Sequence, residues 1–215
     1  MNQNIDTKTN RPKIILDLAG GTGAWSKPYK DAGYDVRVIT LPEHDLFTYE
    51  PPSGVYGILA APTCTEFSLA RTRTVVRDRE LEPAMKLVKR CLEIIWQQQY
   101  ELPHKNAKVT TLKFWALENP RGFLKYFLGK PPLEFSPYDY GDPYKKRTQL
   151  WGYYNPPVKS PVEYDKQKFD TRLLCDLPEL PEGFIYNPGC GLDKRQVRRS
   201  ITPRGFAQAF FKTNQ

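Results

Sequence analysis

Hydrophobic residues along this chain come in short runs divided by glycine- and proline-rich turns. Residues 13–18 (KIILDL) form an apolar run ending near an acid and followed by AGGTG, which predicts a buried strand turning through glycines into a helix. That helix is expected from about Ala24 to Ala32, with Gly33 as its stop. DVRVIT (35–40) and VYGILAA (55–61) read as further strands. Residues 81–100 carry Leu81, Met85, Val88, Leu92 and Ile95 at helical spacing, so a long amphipathic helix is predicted there. TLKFWALE (111–118) predicts a strand, RGFLKYFLG (121–129) a short helix closed by glycine, and TQLWGYY (148–154) another strand. TPRGFAQAFFKTN (202–214) predicts a final helix with Thr202 as N-cap and Pro203 at its first position. Strand–helix alternation over the first 130 residues argues for an α/β fold on a mostly parallel sheet. Beyond it the character changes: residues 131–188 hold 10 of the 20 prolines, so a loop-rich lobe is expected there.

Composition narrows the classes. With 215 residues, 40% hydrophobic and 26% charged, the chain has enough apolar surface for one core and is expected to be soluble. No apolar run reaches the ~20 residues of a membrane helix. Residues 1–11 read as a polar tail without an export signal, and a cytoplasmic location is expected. Cys64, Cys91, Cys175 and Cys190 lack metal-ligand spacing and there are two histidines, so no metal site is expected and free thiols are the simpler reading. The net charge of +8 suits a polyanion such as nucleic acid, or serves solubility alone. Clustering favours the polyanion: Arg71, Arg73, Arg77 and Arg79 lie together, as do Lys145, Lys146 and Arg147, and Lys194, Arg195, Arg198, Arg199 and Arg204.

Three segments carry candidate chemistry. In DLAGGTG (Asp17, Leu18, Ala19, Gly20, Gly21, Thr22, Gly23) the glycines let backbone approach a ligand ahead of a helix; a plain tight turn is the other reading. In APTCTEFSLAR (61–71) a cysteine follows a strand, where ligands gather in open α/β sheets, and Arg71 and Arg73 could lower its pKa; the other reading is an inert thiol, which is expected of Cys91. In WALENPRGF (115–123) Glu118 could exchange a proton; alternatively Asn119 and Pro120 start a helix.

These segments, in this order, resemble the DNA cytosine-C5 methyltransferases. Asp17–Gly23 is similar to the family's D-L-F-x-G-x-G segment for S-adenosylmethionine, Thr63–Ser68 to P-C-Q-x-F-S with its nucleophile, and Glu118-Asn119-Pro120 to E-N-V. GDPYKKRTQLWG (141–152) resembles G-V-P-Q-x-R-x-R, with Arg147 or Lys146 in an arginine's place, and RRSITPRGFAQAF (198–210) resembles R-x-L-T-P-R-E-x-A. Ala19, Thr63, Thr65 and Pro120 depart from the pattern, and no acid ends the second strand, although Glu43 and Asp45 follow it. The compact layout is similar to small members from phages and mobile elements, for which restriction–modification is a natural setting.

The resemblance implies a Rossmann-like S-adenosylmethionine-dependent methyltransferase fold. Residues 12–152 and 196–215 would form the catalytic domain and 153–195 a short target-recognition-like insertion. Cys64 would be the nucleophile, Glu118 the acid, Asn119 its orienting partner, and Arg147 the group holding the flipped nucleotide. Asp17–Gly23, Asp45 and Pro62 would bind the cofactor. Ser68, Arg71, Arg73, Lys145, Lys146, Arg198 and Arg199 would contact DNA, with the protein acting as a monomer on a flipped cytosine. So short an insertion implies a short target of about two to four bases. Single-stranded DNA or a cytidine nucleotide as substrate, and a non-catalytic DNA-binding relative, are the alternatives. An amino-methyltransferase would need a D/N-P-P-Y/F segment, which APTC does not match.

Overall fold

The computed structural model describes residues 12–70, 78–100, 111–169, 178–188 and 192–215. Its centre is a six-stranded sheet of β1 (Ile14–Leu18), β2 (Asp35–Ile39), β3 (Val55–Ala60), β4 (Phe114–Pro120), β5 (Leu133–Phe135) and β6 (Thr148–Tyr153). The order is β2-β1-β3-β4-β6-β5, with β1 to β4 parallel and β6 antiparallel to both its neighbours. This is a mixed, mostly parallel, Rossmann-like sheet; the strand–helix alternation predicts its parallel part.

Alternation of side chains along each strand builds two cores. On one face Leu16, Leu18, Ile58, Ala60 and Leu117 pack on Val88, Cys91, Ile94 and Ile95 of α2 (Leu81–Gln99). On the other, Ile15, Leu59, Phe114, Ala116 and Leu150 meet Trp25, Tyr29 of α1 (Lys27–Asp31), and Phe206 and Phe210 of the last helix. Each Leu, Ile, Val or Phe among them, fully buried, is worth roughly 1.5–3 kcal/mol against exposure. Burial on α2 centres on Cys91 and Ile94, a rotation from the expected stripe, while Leu81, Met85 and Leu92 pack at its margin.

Strand register fixes where the chemistry can sit. Leu18 pairs with Ile39 and Ala60, and Ala60 with Leu117, so β1, β2 and β3 end level. β4 runs on through Glu118, Asn119 and Pro120, which pair instead with Leu150, Gln149 and Thr148 of β6. The alternative in which Asn119 and Pro120 open a helix is therefore not what forms: helix α3 is Lys125–Leu128. Past β3 the neighbouring space is left open for the loop that carries Cys64.

Several boundaries differ from the pattern. α1 begins at Lys27 rather than Ala24, because residues 22, 24, 25 and 26 are spent on turns. The last helix, α5 (Arg204–Thr213), has Pro203 rather than Thr202 at its N-cap; the Asp142 carboxylate supplies the acceptor from outside, taking the Gly205 N–H at 2.8 Å. β5, a 3-10 turn at Pro137–Tyr140 and α4 (Lys194–Ser200) were not signalled by periodicity. The described residues 154–169 and 178–188 contain no strand or α-helix. The tail 1–11, Arg71, Arg73, Arg77, His104, Cys175 and Cys190 lie outside the described residues. Among the described residues no helix is long and apolar enough to cross a membrane, and no group of three His, Cys, Asp or Glu could hold a metal.

Candidate functional site

The turn after β1 is built around a buried acid. Asp17 is fully buried. Ser26 Oγ donates to its Oδ2 at 2.5 Å, while Oδ1 has no partner. A Cβ on Gly20 would lie 2.4 Å from the Asp17 carboxyl carbon, so only glycine fits there. Ala19 (φ 53°), Gly21 (54°) and Gly23 (68°) take left-handed backbone, which in the alanine stores strain at the centre of the turn. Burial pushes the Asp17 carboxyl up to about 7, with nearby Glu118 adding to the rise and Ser26 opposing it. The raised carboxyl thus keeps one oxygen, Oδ1, without a hydrogen-bond partner.

The loop after β3 is pinned from two sides. Asn119 Nδ2 donates to the Pro62 carbonyl at 3.0 Å, joining the end of β4 to the start of the loop. The Cys64 carbonyl accepts from Phe67 and Ser68 N–H at 3.0 and 2.9 Å, which closes the chain into a turn. Arg79 then reaches in from the start of α2, its Nη1 donating to the carbonyls of Glu66 (2.7 Å) and Ser68 (2.9 Å). Ser68 and Gly122 form an antiparallel bridge so close that a Cβ on Gly122 would sit 2.0 Å from the Phe67 oxygen.

Cys64 is half-buried within that turn. Burial pushes its thiol up and Glu118 pushes it further, whereas Lys146 and Arg199 draw it down. Glu118 is 8% exposed with Oε2 unpartnered; burial raises its carboxyl above the usual range, and Lys146 opposes the rise. By strand alternation Asp17 and Glu118 belong to the face carrying Ile15 and Ala116, and Asn119 to the opposite face with Leu117. Lys146 Nζ donates to the Ile201 carbonyl at 3.1 Å, which fixes it between β6 and the segment joining α4 to α5. Cys64, Glu118, Asp17, Lys146 and Arg199 thus form one electrostatic group at the carboxyl edge of the sheet, where open α/β sheets bind ligands.

The other expected residues are dispersed. Arg147 lines a separate cleft of about 260 Å³ with Arg121 and Glu134, and neither Cys64 nor Glu118 borders it. Of the two residues open for the arginine's place, Lys146 is the one that acts electrostatically on Cys64 and Glu118. Lys145 is exposed beside them. Arg198 donates to the Pro178 carbonyl at 2.9 Å, an internal contact that occupies its Nε. Ser68 Oγ accepts from the Ala70 N–H at 3.1 Å. Asp45 is exposed beyond β2, where its Oδ1 accepts from the Phe47 N–H at 2.9 Å. Pro62 contributes its carbonyl to Asn119. In contrast to Cys64, Cys91 is buried in the α2 core and pushed up to about 12.

Pattern reading missed Ser26, Arg79 and Arg121. Ser26 lies beyond the glycine segment and carries no motif signature. Arg79 was counted only as charge, although a basic residue just ahead of a long helix was visible.

No protein-family model matches this chain, and no curated protein does. Among solved structures it is similar to a methyltransferase of Entamoeba histolytica, EhMeth, at 12% identity and a TM-score of 0.35. The match covers 72% of this chain and 57% of that one.

Proposed function

We propose that this protein transfers a methyl group from S-adenosylmethionine to C5 of cytosine in DNA, with Cys64 as a covalent nucleophile. The observation that carries the reading is the electrostatic coupling of a half-buried thiol, Cys64 in the loop after β3, with a buried carboxyl near the end of the neighbouring strand β4, Glu118, whose Oε2 is unpartnered, both acted on by Lys146. The order of the sequence segments gives it a chemistry.

The residues fit the cofactor. Asp17 Oδ1 is a buried acceptor without a partner, and the Gly20–Gly23 turn gives backbone access, which suits the cationic methionine end. Asp17–Gly23 would hold that end, with Asp45 and Pro62 toward the rest. When bound, S-adenosylmethionine supplies an electrophilic methyl group.

The protein's own residues do the remainder. C5 of cytosine is a poor nucleophile until a thiolate adds at C6. The Cys64 sulfur forms that bond, and the electron pair displaced through the ring is met at N3 by the Glu118 proton. Burial raises the Glu118 carboxyl above its ordinary value, which favours the neutral form that can donate, against the opposing pull of Lys146. A neutral Glu118 also removes the negative charge that disfavours the Cys64 thiolate, leaving Lys146 and Arg199 to favour it. After C5 accepts the methyl group, its proton leaves to solvent, the C6–S bond breaks, and N3 returns its proton to Glu118. Asn119 keeps the loop and β4 in register throughout. Extrusion of the base costs a few kcal/mol, offset by phosphate contacts from the basic residues.

The covalent step is tested with S-adenosylmethionine and an oligonucleotide bearing 5-fluorocytosine, where the adduct is trapped once C5 has been methylated. Fluorine cannot leave C5 as a proton would, so the protein–DNA adduct should persist on a denaturing gel. Its appearance with the wild-type chain and absence with Cys64→Ser supports the reading; no adduct with wild type contradicts it.

A further inference from the structure

A stack of alternating cations and rings runs outward from the Cys64 loop, and the methyl-transfer reading does not use it. At its inner end Arg79, whose Nη1 holds the Glu66 and Ser68 carbonyls, lies 4.9 Å from the centre of the Phe123 ring. The Phe123 N–H donates to the Phe67 carbonyl at 2.9 Å, which ties this ring to the turn that carries Cys64. The Phe123 and Tyr126 rings are 6.3 Å apart and 29° from parallel, and Lys125 Nζ lies 5.1 Å from the Tyr126 ring centre. Phe127 meets the buried Phe67 edge-on at 6.2 Å. Leu124, just ahead of α3, is fully buried, so this short helix displays its rings from an anchored base. Tyr126 is 74% exposed and Phe127 50%, so two adjacent rings keep open surface toward solvent.

The surrounding charge selects the partner. Residues 121–130 carry Arg121, Lys125 and Lys130 and no acid. Lys125 and Lys130 form no ion pair among the described residues. Acids stand at the inner end, where Asp78 and Glu80 flank Arg79 in sequence and Glu66 Oε2 accepts from the Glu80 N–H at 3.1 Å, so the outer end is the basic one. Open rings beside ammonium groups match flat bases joined by phosphates. In a duplex the base faces are covered by their neighbours and the grooves present edges, so such rings fit an unpaired strand. We propose that Tyr126 and Phe127 form a stacking platform for unpaired bases flanking the reacting nucleotide, with Lys125 and Lys130 receiving their phosphates. The place fits, because Phe127 rests on Phe67, three residues past Cys64. This inference rests on nucleic acid being the substrate, and it adds a preference for unpaired over paired DNA.

The test measures binding, without cofactor, of a labelled single strand of about 12 nucleotides, its duplex, and an abasic strand of the same length. Wild type is compared with Tyr126→Leu/Phe127→Leu, which keeps apolar area and removes the rings, and with Tyr126→Trp/Phe127→Trp, which keeps rings. Thermal unfolding of each protein confirms that the fold is retained. The leucine pair is expected to bind the single strand about tenfold or more weakly than wild type. It should bind the abasic strand and the duplex with little change, and the tryptophan pair should bind the single strand as wild type does. A wild-type protein that does not bind the single strand, or a leucine pair that binds it as wild type does, overturns the proposal. So does a leucine pair that loses as much on the abasic strand or the duplex. Methylation assayed in parallel separates the two readings. Ring-dependent binding without methyl transfer by wild type keeps the platform and removes the enzyme; methyl transfer with ring-independent binding does the reverse.

Discussion

The Asn119 side chain donates to the Pro62 carbonyl at 3.0 Å, so the end of β4 holds the first residues of the Cys64 loop. Asn119 is fully buried, and removing its amide leaves a carbonyl without a partner where water has poor access. Asn119→Ala is expected to cost about 1–3 kcal/mol in denaturant unfolding. Any methylation should fall further than that stability loss accounts for, because the thiol loses its register with Glu118. Equal activity per folded molecule would show that the bond only stabilises.

Asp17 gives a pH prediction with a definite sign. Its carboxyl lies at about 7 in the fold against 3.8 in an unfolded chain. Between those values the folded state holds a proton that the unfolded state has released, so this group's contribution to stability falls as pH rises. Asp17→Asn should therefore match wild type near pH 4 and exceed it at pH 8, by up to about 4 kcal/mol on linkage grounds. Thermal unfolding at the two pH values checks this. The same variant should bind S-adenosylmethionine more weakly, since a negative partner for its cationic end is gone.

Glu118→Gln keeps the shape and removes the transferable proton. Methyl transfer is expected to drop by about 10²–10⁴-fold. DNA affinity should change little, because the residue is buried. In wild type the rate should decline at high pH as Glu118 ionises and at low pH as the Cys64 thiolate is lost, a bell-shaped profile whose alkaline limb disappears in Glu118→Gln.

Two glycines should tolerate no side chain. A methyl on Gly20 meets the Asp17 carboxyl carbon at 2.4 Å, and one on Gly122 meets the Phe67 carbonyl oxygen at 2.0 Å. Each alanine variant is expected to lose roughly 1–3 kcal/mol or more in chemical denaturation. Gly122→Ala should also loosen the Cys64 loop, seen as faster reaction of that thiol with a maleimide.

The frame of this molecule was legible because its strands are apolar and its turns carry glycine. KIILDL and VYGILAA show themselves as apolar runs buried on both faces of a parallel sheet, while DVRVIT becomes the partly buried edge strand, and β1, β2 and β3 fall within those runs. β5 has three residues, too few for a period. α4 (KRQVRRS) has one buried residue, Val197, so no stripe betrays it, although Asp193 and Gln196 form a capping box that could have done so. Cys64 was legible because it follows an apolar strand, and Glu118 because it stands near the end of one. What sequence could not resolve was direction: Lys146 and Arg147 are neighbours, but only Lys146 is tied to Ile201 and acts on Glu118. Nor could it show that Asn119 extends a strand, since capping and pairing with β6 are alternatives that tertiary context decides.

The most direct test of the central claim is to incubate wild type and Cys64→Ser with S-adenosylmethionine and unmodified duplex DNA, digest the DNA and analyse its nucleosides by mass spectrometry. The account predicts 5-methylcytosine with wild type and none with Cys64→Ser. Folded wild-type protein that leaves every cytosine unmodified, or a serine variant that methylates equally well, would contradict it.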